Sequence, residues 1–256
     1  MGLRDFLPWR RRFRPQRARA PEGQRWYAIG DIHGRYDLLD ELLRRIDRDD
    51  EARGETDTRL LFLGDYIDRG PDSASVVELL IKLDTGDERV VFLGGNHEEV
   101  LIAVAEGNRK AAAMFHKMGG RETLLSYGAA AADYDKADPA GVIDLVRAHI
   151  PPVHLAWLRR LRHSYRAADY YFAHAGIRPG IPLDQQQGAD LRWIRGEFLN
   201  DEGDHGAVVV HGHSVRTEVE ERDNRIGIDT GAYASGRLTA LAIEGEERWL
   251  LQTEAP

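Results

Sequence analysis

The chain has 256 residues, 42% of them hydrophobic and 30% charged, with no cysteine and a formal net charge of −8. That length suits one substantial core, the balance argues against extensive disorder, and no apolar run approaches the roughly 18 to 20 residues of a membrane span. Without cysteine there is no disulfide framework, thiolate metal site or cysteine nucleophile, so any metal must be held by nitrogen and oxygen, and a reducing cytoplasmic location is the expectation.

The charge is unevenly spread. Residues 1–25 carry eight arginines against Asp5 and Glu22, an excess of +6 that leaves −14 on the remaining 231 residues. Such an arm can touch nucleic acid, an anionic membrane or the protein's own surface. It lacks the apolar stretch of a signal peptide, and Pro8, Pro15 and Pro21 favour a flexible tail. Weak anionic contacts through the arm are expected, without a stable nucleic-acid or membrane partner. The organisation read from this is an arm over 1–25 and a single domain over 26–256.

Trp26 to Ile29 is a short apolar run ended by Gly30, and Leu38, Leu39, Leu42, Leu43 and Ile46 then recur at helical spacing across 36–47. The pattern repeats as strand 60–63 with helix 76–83, and as strand 90–93 with helix 100–105. Strands alternating with helices in this way imply a parallel sheet with covered faces. Residues 98–168 read as several short helices, broken at Gly119-Gly120, Gly128, Pro139 and Pro151-Pro152, and are expected to wall the site. Strand-like segments at 170–173, 207–211, 226–228, 238–243 and 248–252 suggest a second, partly antiparallel sheet.

The chemistry lies where the strands end. The loops are Gly-Asp31-Ile-His33-Gly, Gly-Asp65-Tyr-Ile-Asp68-Arg69-Gly and Gly-Gly-Asn96-His97-Glu98, and open α/β sheets bind ligands at that edge. Taken alone, Asp31-x-His33 would more often be a local hydrogen-bonding pair. Repetition at equivalent places changes that: Asp31, His33, Asp65 and Asn96 are joined by His174 and His213, each also following a strand. Six nitrogen and oxygen ligands suit two divalent metals, with Asp65 able to bridge. Glu98 and Glu99 at a helix start are read as structural, meeting its dipole. His211 could replace His213 as a ligand, and the remaining histidines read as ordinary packing or surface residues.

The series GDIHG, GDYIDRG, GGNHE, HAGI and HGHS resembles the calcineurin-like metallophosphoesterases, within them the phosphoprotein phosphatase branch with its bacterial, phage-type and diadenosine tetraphosphate hydrolase relatives. The resemblance implies an α/β fold of four layers, αββα, with two central mixed sheets flanked by helices. It implies one metal on Asp31, His33 and Asp65, and a second on Asp65, Asn96, His174 and His213, with manganese expected and iron or zinc as alternatives. His97 would protonate the leaving oxygen, oriented by Asp68, while Arg69 and Arg195 would bind phosphate. The glycine-histidine pair of the family selects His213 over His211. Gly94 stands where the eukaryotic branch usually carries arginine, and the loop 228–233 differs from that branch, which indicates a bacterial type of phosphatase; Val215 stands where the wider superfamily has a further histidine, which favours the phosphoprotein phosphatase branch over nucleases and cyclic-nucleotide esterases.

The first expectation is a serine/threonine protein phosphatase that uses a metal-bridging hydroxide in line with the leaving group. The alternative is a symmetrical bis(5'-nucleosyl)-tetraphosphatase, so the partner is a phosphorylated protein or a nucleotide. A non-enzymatic RNA or membrane binder using the arm is the third reading, opposed by the complete ligand set.

Overall fold

The structure, a computed structural model, describes residues 18–254. Three strand–helix units open it: β1 (Gln24–Ile29) and α1 (Tyr36–Arg53), β2 (Asp57–Phe62) and α2 (Ser73–Leu83), β3 (Val90–Phe92) and α3 (Asn96–Ala105). The helix α1 runs past the expected end at 47. Its apolar stripe stops at Ile46, but Asp49 pairs with Arg53 and accepts the Tyr27 hydroxyl and the Trp249 indole N–H, which anchors the polar last turns.

Five short helices follow: α4 (Arg109–Lys117), α5 (Gly120–Ser126), α6 (Ala131–Tyr134), α7 (Pro139–His149) and α8 (Pro152–Leu158). Their starts have local causes. Asn108 accepts the N–H groups of Lys110 and Ala111, while Asp138 accepts that of Gly141 with Pro139 in the first turn. The expected helical stretch 98–168 is corrected at its end, where β4 (Ser164–Ala167) is a strand because it pairs antiparallel with β5 (Tyr170–Ala173). Then come α9 (Gly188–Trp193), α10 (Gly196–Leu199), β6 (Val208–His211), β7 (Glu220–Glu221), β8 (Arg225–Gly227), α11 (Ala232–Ser235), β9 (Thr239–Glu244) and β10 (Glu247–Gln252).

Among the described residues there are two mixed sheets of five strands, ordered β10-β9-β1-β2-β3 and β4-β5-β6-β8-β7. The segments 238–243 and 248–252 were expected in the second sheet and lie in the first. There β9 runs antiparallel to β1, with Leu241 and Ile243 on one face and Ala240 and Ala242 on the other.

Strand alternation sorts the apolar side chains into layers, as the two-residue period of an extended chain requires. Trp26 and Ala28 face the inter-sheet core, whereas Tyr27 and Ile29 face the helical side. In β5, Tyr170 and Phe172 enter that same inter-sheet core, and Tyr171 and Ala173 pack outward against α9 and α10. Trp26 and Phe172 stack across the sheets with ring centroids 6.1 Å apart. Helices, sheet, sheet and helices thus form the four expected layers.

The body starts before the expected position 26. Ala18 and Ala20 are buried in the inter-sheet core, and Arg25 is buried between Asp50 and Glu244. The rest of the expected arm, residues 1–17, lies outside the described residues. Among the described residues no helix is long and apolar enough to cross a membrane.

Candidate metal centre

The carboxyl ends of β1, β2 and β3 meet those of β5, β6 and β8 at one edge, and their loops bind each other. The N–H groups of Ile32 and His33 donate to Asp65 O at 3.1 and 2.8 Å, and Gly212 N–H donates to His174 O at 2.8 Å. Bonds between the sheets include His213 N–H to Asp31 Oδ2 at 2.9 Å and His174 Nδ1–H to Leu63 O at 3.1 Å. Both loops are tight enough to require glycine. A Cβ on Gly95 would overlap Asp65 Oδ1, and one on Gly212 would overlap Asp31 Oδ1.

Asp31, His33, Asp65, Asp68, Asn96, His97, His174 and His213 are all buried here. Asp65 Oδ2 stands 3.6 Å from His33 Nε2 and 3.3 Å from His174 Nε2. Asn96 Oδ1 lies 3.1 Å from His174 Nε2 and 2.9 Å from His213 Nδ1. Two sets of potential ligand atoms therefore form, His33 with Asp65 and His97, and Asp65 with His174 and His213, each within 4.8 Å. Asp31 adjoins them through His213 N–H but is not within either set at that spacing.

Asp68 Oδ2 accepts His97 Nδ1–H at 2.7 Å, and Arg69 Nη2 is 3.3 Å from His97 Nε2. Arg69 is half-buried and its guanidinium carbon sits 4.6 Å from the Tyr233 ring centroid. Arg195 is exposed at the junction of α9 and α10; after burial and His174, its charge is among those lowering the pKa of His213.

This backbone is under tension. Among the described residues six non-glycine residues have left-handed φ, and five belong to this site: His33 (48°), Asp65 (51°), Asp68 (72°), Arg69 (69°) and His213 (63°). Such conformations cost of order 1–3 kcal/mol each and persist where the surroundings over-determine them.

The electrostatics call for cations. Burial pushes Asp31 well above the carboxylate range, reinforced by the neighbouring Asp229. Burial likewise raises Glu98 to about 7, with Asp65 adding to the shift. Burial lowers His33 to about 3 and His213 to about 2. It also opposes the charge on His174, yet the Asp65 carboxylate outweighs it and holds that imidazole up to about 9. Asp31 Oδ1 and His213 Nε2 are buried without a hydrogen-bond partner. Orphaned lone pairs among crowded carboxylates are costly unless a metal takes them, so the residues present fit divalent cations.

Several neighbours were missed or misjudged from sequence. Asp229 follows β8 in the pattern strand–Asp–Thr–Gly, the same signal that marked Asp31, and it is buried beside that residue. Glu98 is structural as expected, but through hydrogen bonds more than a dipole: it accepts the N–H groups of Asp65, Tyr66 and Gly95 at 2.8 to 2.9 Å. Glu99 instead binds Arg192 and the Trp193 indole N–H. His211 packs its ring against Phe198 and bonds Gly212 O, away from the ligand sets.

The chain is similar to several known proteins. The chain is 28% identical over 198 residues to a symmetrical bis(5'-nucleosyl)-tetraphosphatase of Nitrosospira multiformis, covering 73% of this chain and only 60% of that protein. It is 25% identical to the asymmetrical bis(5'-nucleosyl)-tetraphosphatase of Oceanobacillus iheyensis, covering 86% of this chain and 88% of the relative. With serine/threonine-protein phosphatase 2 of Escherichia coli the identity is 26%, over 90% and 98% of the two chains. A crystal structure provisionally assigned as a diadenosine tetraphosphatase shares the fold with a TM-score of 0.63 at 24% identity, covering 93% of this chain and 99% of the other. The profile of the calcineurin-like phosphoesterases matches residues 25–238, the span that contains every strand-end loop of the centre, and the chain belongs to that family.

Proposed function

We propose that the protein hydrolyses bis(5'-nucleosyl) tetraphosphates, with symmetrical cleavage as the first expectation. The observation that carries phosphoester hydrolysis is the His97–Asp68 pair, with Arg69 beside the free edge of the imidazole and the ligand sets behind it. The nucleotide class rests on the tetraphosphatase relatives: the symmetrical enzyme of Nitrosospira multiformis, matched over 60% of its length, suggests the mode of cleavage, and the asymmetrical one of Oceanobacillus iheyensis, matched over 88% of its length, supports the substrate class alone. This reverses the order expected from the motifs, which put protein phosphatase first.

Asp31, His33 and Asp65 would hold one cation, and Asp65, Asn96, His174 and His213 the other. Two bound divalent metals supply positive charge that lowers the pKa of water toward neutrality and balances the phosphoryl oxygens. The chain's own groups do the rest. His97 donates Nδ1–H to Asp68, which leaves its Nε2 proton for the departing oxygen. Burial acts to depress His97, and the charges of Asp65 and Asp68 overcome it, so the imidazolium needed by an acid is favoured. Arg69, whose planar donors suit phosphate oxygens, lies at the junction between acid and phosphate, and exposed Arg195 can reach an outer phosphate.

Protein phosphatase activity is the second reading, favoured by the Escherichia coli relative matched over 98% of its length. Turnover of diadenosine tetraphosphate, a phosphothreonine peptide and p-nitrophenyl phosphate with added manganese separates the two. Rapid release of two nucleoside diphosphates is expected; peptide turnover without dinucleotide cleavage would overturn the first reading. Metal analysis of protein purified without chelators identifies the cations, with manganese expected.

A further inference from the structure

The helix α5 starts beneath the Asp68–Arg69 turn and grips it at two points. Arg69 N–H donates to Gly119 O at 3.1 Å. Thr123, fully buried, donates its hydroxyl to Asp68 Oδ1 at 2.6 Å and accepts Asp68 N–H at 2.8 Å. Ser73 Oγ stands 3.1 Å from Thr123 Oγ1. Because the single Thr123 proton is committed to Asp68, Ser73 donates to Thr123, and the capacity of that hydroxyl is filled.

We propose that Thr123 is a positioning residue for His97, acting through Asp68 and resting on the acid role given to His97 above. The terminal torsion of an aspartate is soft, so one bond at Oδ2 does not fix the plane of the carboxylate. His97 bonds Oδ2 and Thr123 bonds Oδ1, and the two together set that plane. The plane sets the direction of Nδ1–H and, through the rigid ring, where Nε2 points. Asp68 is buried, which raises the cost of losing a donor on its carboxylate. Its left-handed backbone adds a second reason for the brace, since the Thr123 hydroxyl also accepts the N–H of that strained residue. The helical segment therefore supplies part of the acid, besides walling the site.

The test uses the full chain loaded with manganese and two aryl esters that differ in leaving group. p-Nitrophenolate departs with little help from an acid, whereas phenolate needs a proton. Thr123→Val, which keeps the shape and removes the hydroxyl, is expected to lower kcat about tenfold on phenyl phosphate and about twofold on p-nitrophenyl phosphate, a fraction of a full general-acid effect. Thr123→Ser should restore both; Thr123→Ala serves if valine prevents folding. Equal losses on the two esters, or no rescue by serine, overturn the proposal. On protein loaded with zinc, which is diamagnetic and leaves nearby resonances sharp, low-field proton NMR reads the same contact without turnover. The His97 Nδ1–H resonance, identified by its loss in His97→Asn, should be sharp in the parent and in Thr123→Ser, and shifted or broadened in Thr123→Val. An unchanged resonance also overturns it. If the parent cleaves neither ester, diadenosine tetraphosphate turnover decides the proposed function by itself, and the resonance alone decides the place of Thr123.

Discussion

Asp65 has four kinds of partner. Its Oδ2 faces His33, His174 and His97, its Oδ1 accepts His97 N–H, its carbonyl accepts two N–H groups from the β1 loop, and its own N–H donates to Glu98. Replacing it with asparagine keeps the shape but removes the charge that both ligand sets share. Asp65→Asn is expected to lose metal and activity together, read by elemental analysis and turnover; a fully active variant would refute the ligand assignment. His97→Asn should behave differently. It leaves Asp65 and the other proposed ligands in place, so metal content should be retained while kcat falls about 10²- to 10⁴-fold, the usual scale of a general acid. The identities of these residues were legible because each follows a strand and a glycine. The left-handed backbone of Asp65 was not, since φ depends on how neighbouring loops press on one another.

At the scale of elements, the start of α3 is tied to the β2 loop by Glu98. Its Oε1 accepts Tyr66 N–H and its Oε2 accepts those of Asp65 and Gly95. The last of these is half of a capping box, in which an acid at the third helical position returns to the residue before the helix. Glutamine at this position would turn an NH₂ group toward N–H donors. Glu98→Gln is expected to destabilise the fold by about 1–3 kcal/mol, the penalty for a buried unsatisfied donor, and to weaken metal retention without touching a ligand. Denaturant unfolding checks the first and elemental analysis the second; unchanged values in both would remove Glu98 from the cradle. The same scale explains what was misplaced in the fold. Ser164-Tyr-Arg-Ala has too little pattern to declare a strand by itself, and becomes β4 only through pairing with β5. The strand β9 is buried on both faces, so its side chains are compatible with either sheet; pairing with β1 decides.

Across the whole molecule, the proposed ligands come from both sheets: Asp31, His33, Asp65 and Asn96 follow strands of the first, His174 and His213 strands of the second. Cations held between them would link the layers in the folded state only, and a ligand of the native state stabilises it by mass action, by about 2.7 kcal/mol at a concentration one hundred times its Kd. Chelation followed by gel filtration is expected to lower the melting temperature, and added manganese to restore it; a melting temperature indifferent to metal would show that the residues do not bind it. The sequence alone was enough for the alternation of strands and helices in the first half, the parallel pairing of β1, β2 and β3 and the family of the chain, because periodicity and strand-end motifs are local properties of adjacent residues. The strand-end motifs also picked out every residue of the two candidate ligand sets, with His97 among them expected to transfer a proton. Only the tertiary structure decided which strands share a sheet, that Glu98 and Thr123 brace the site, and that Asp229 lies beside Asp31. Those facts depend on contacts between residues far apart in the chain, such as Thr123 with Asp68 and His213 with Asp31, and no local pattern encodes the partner.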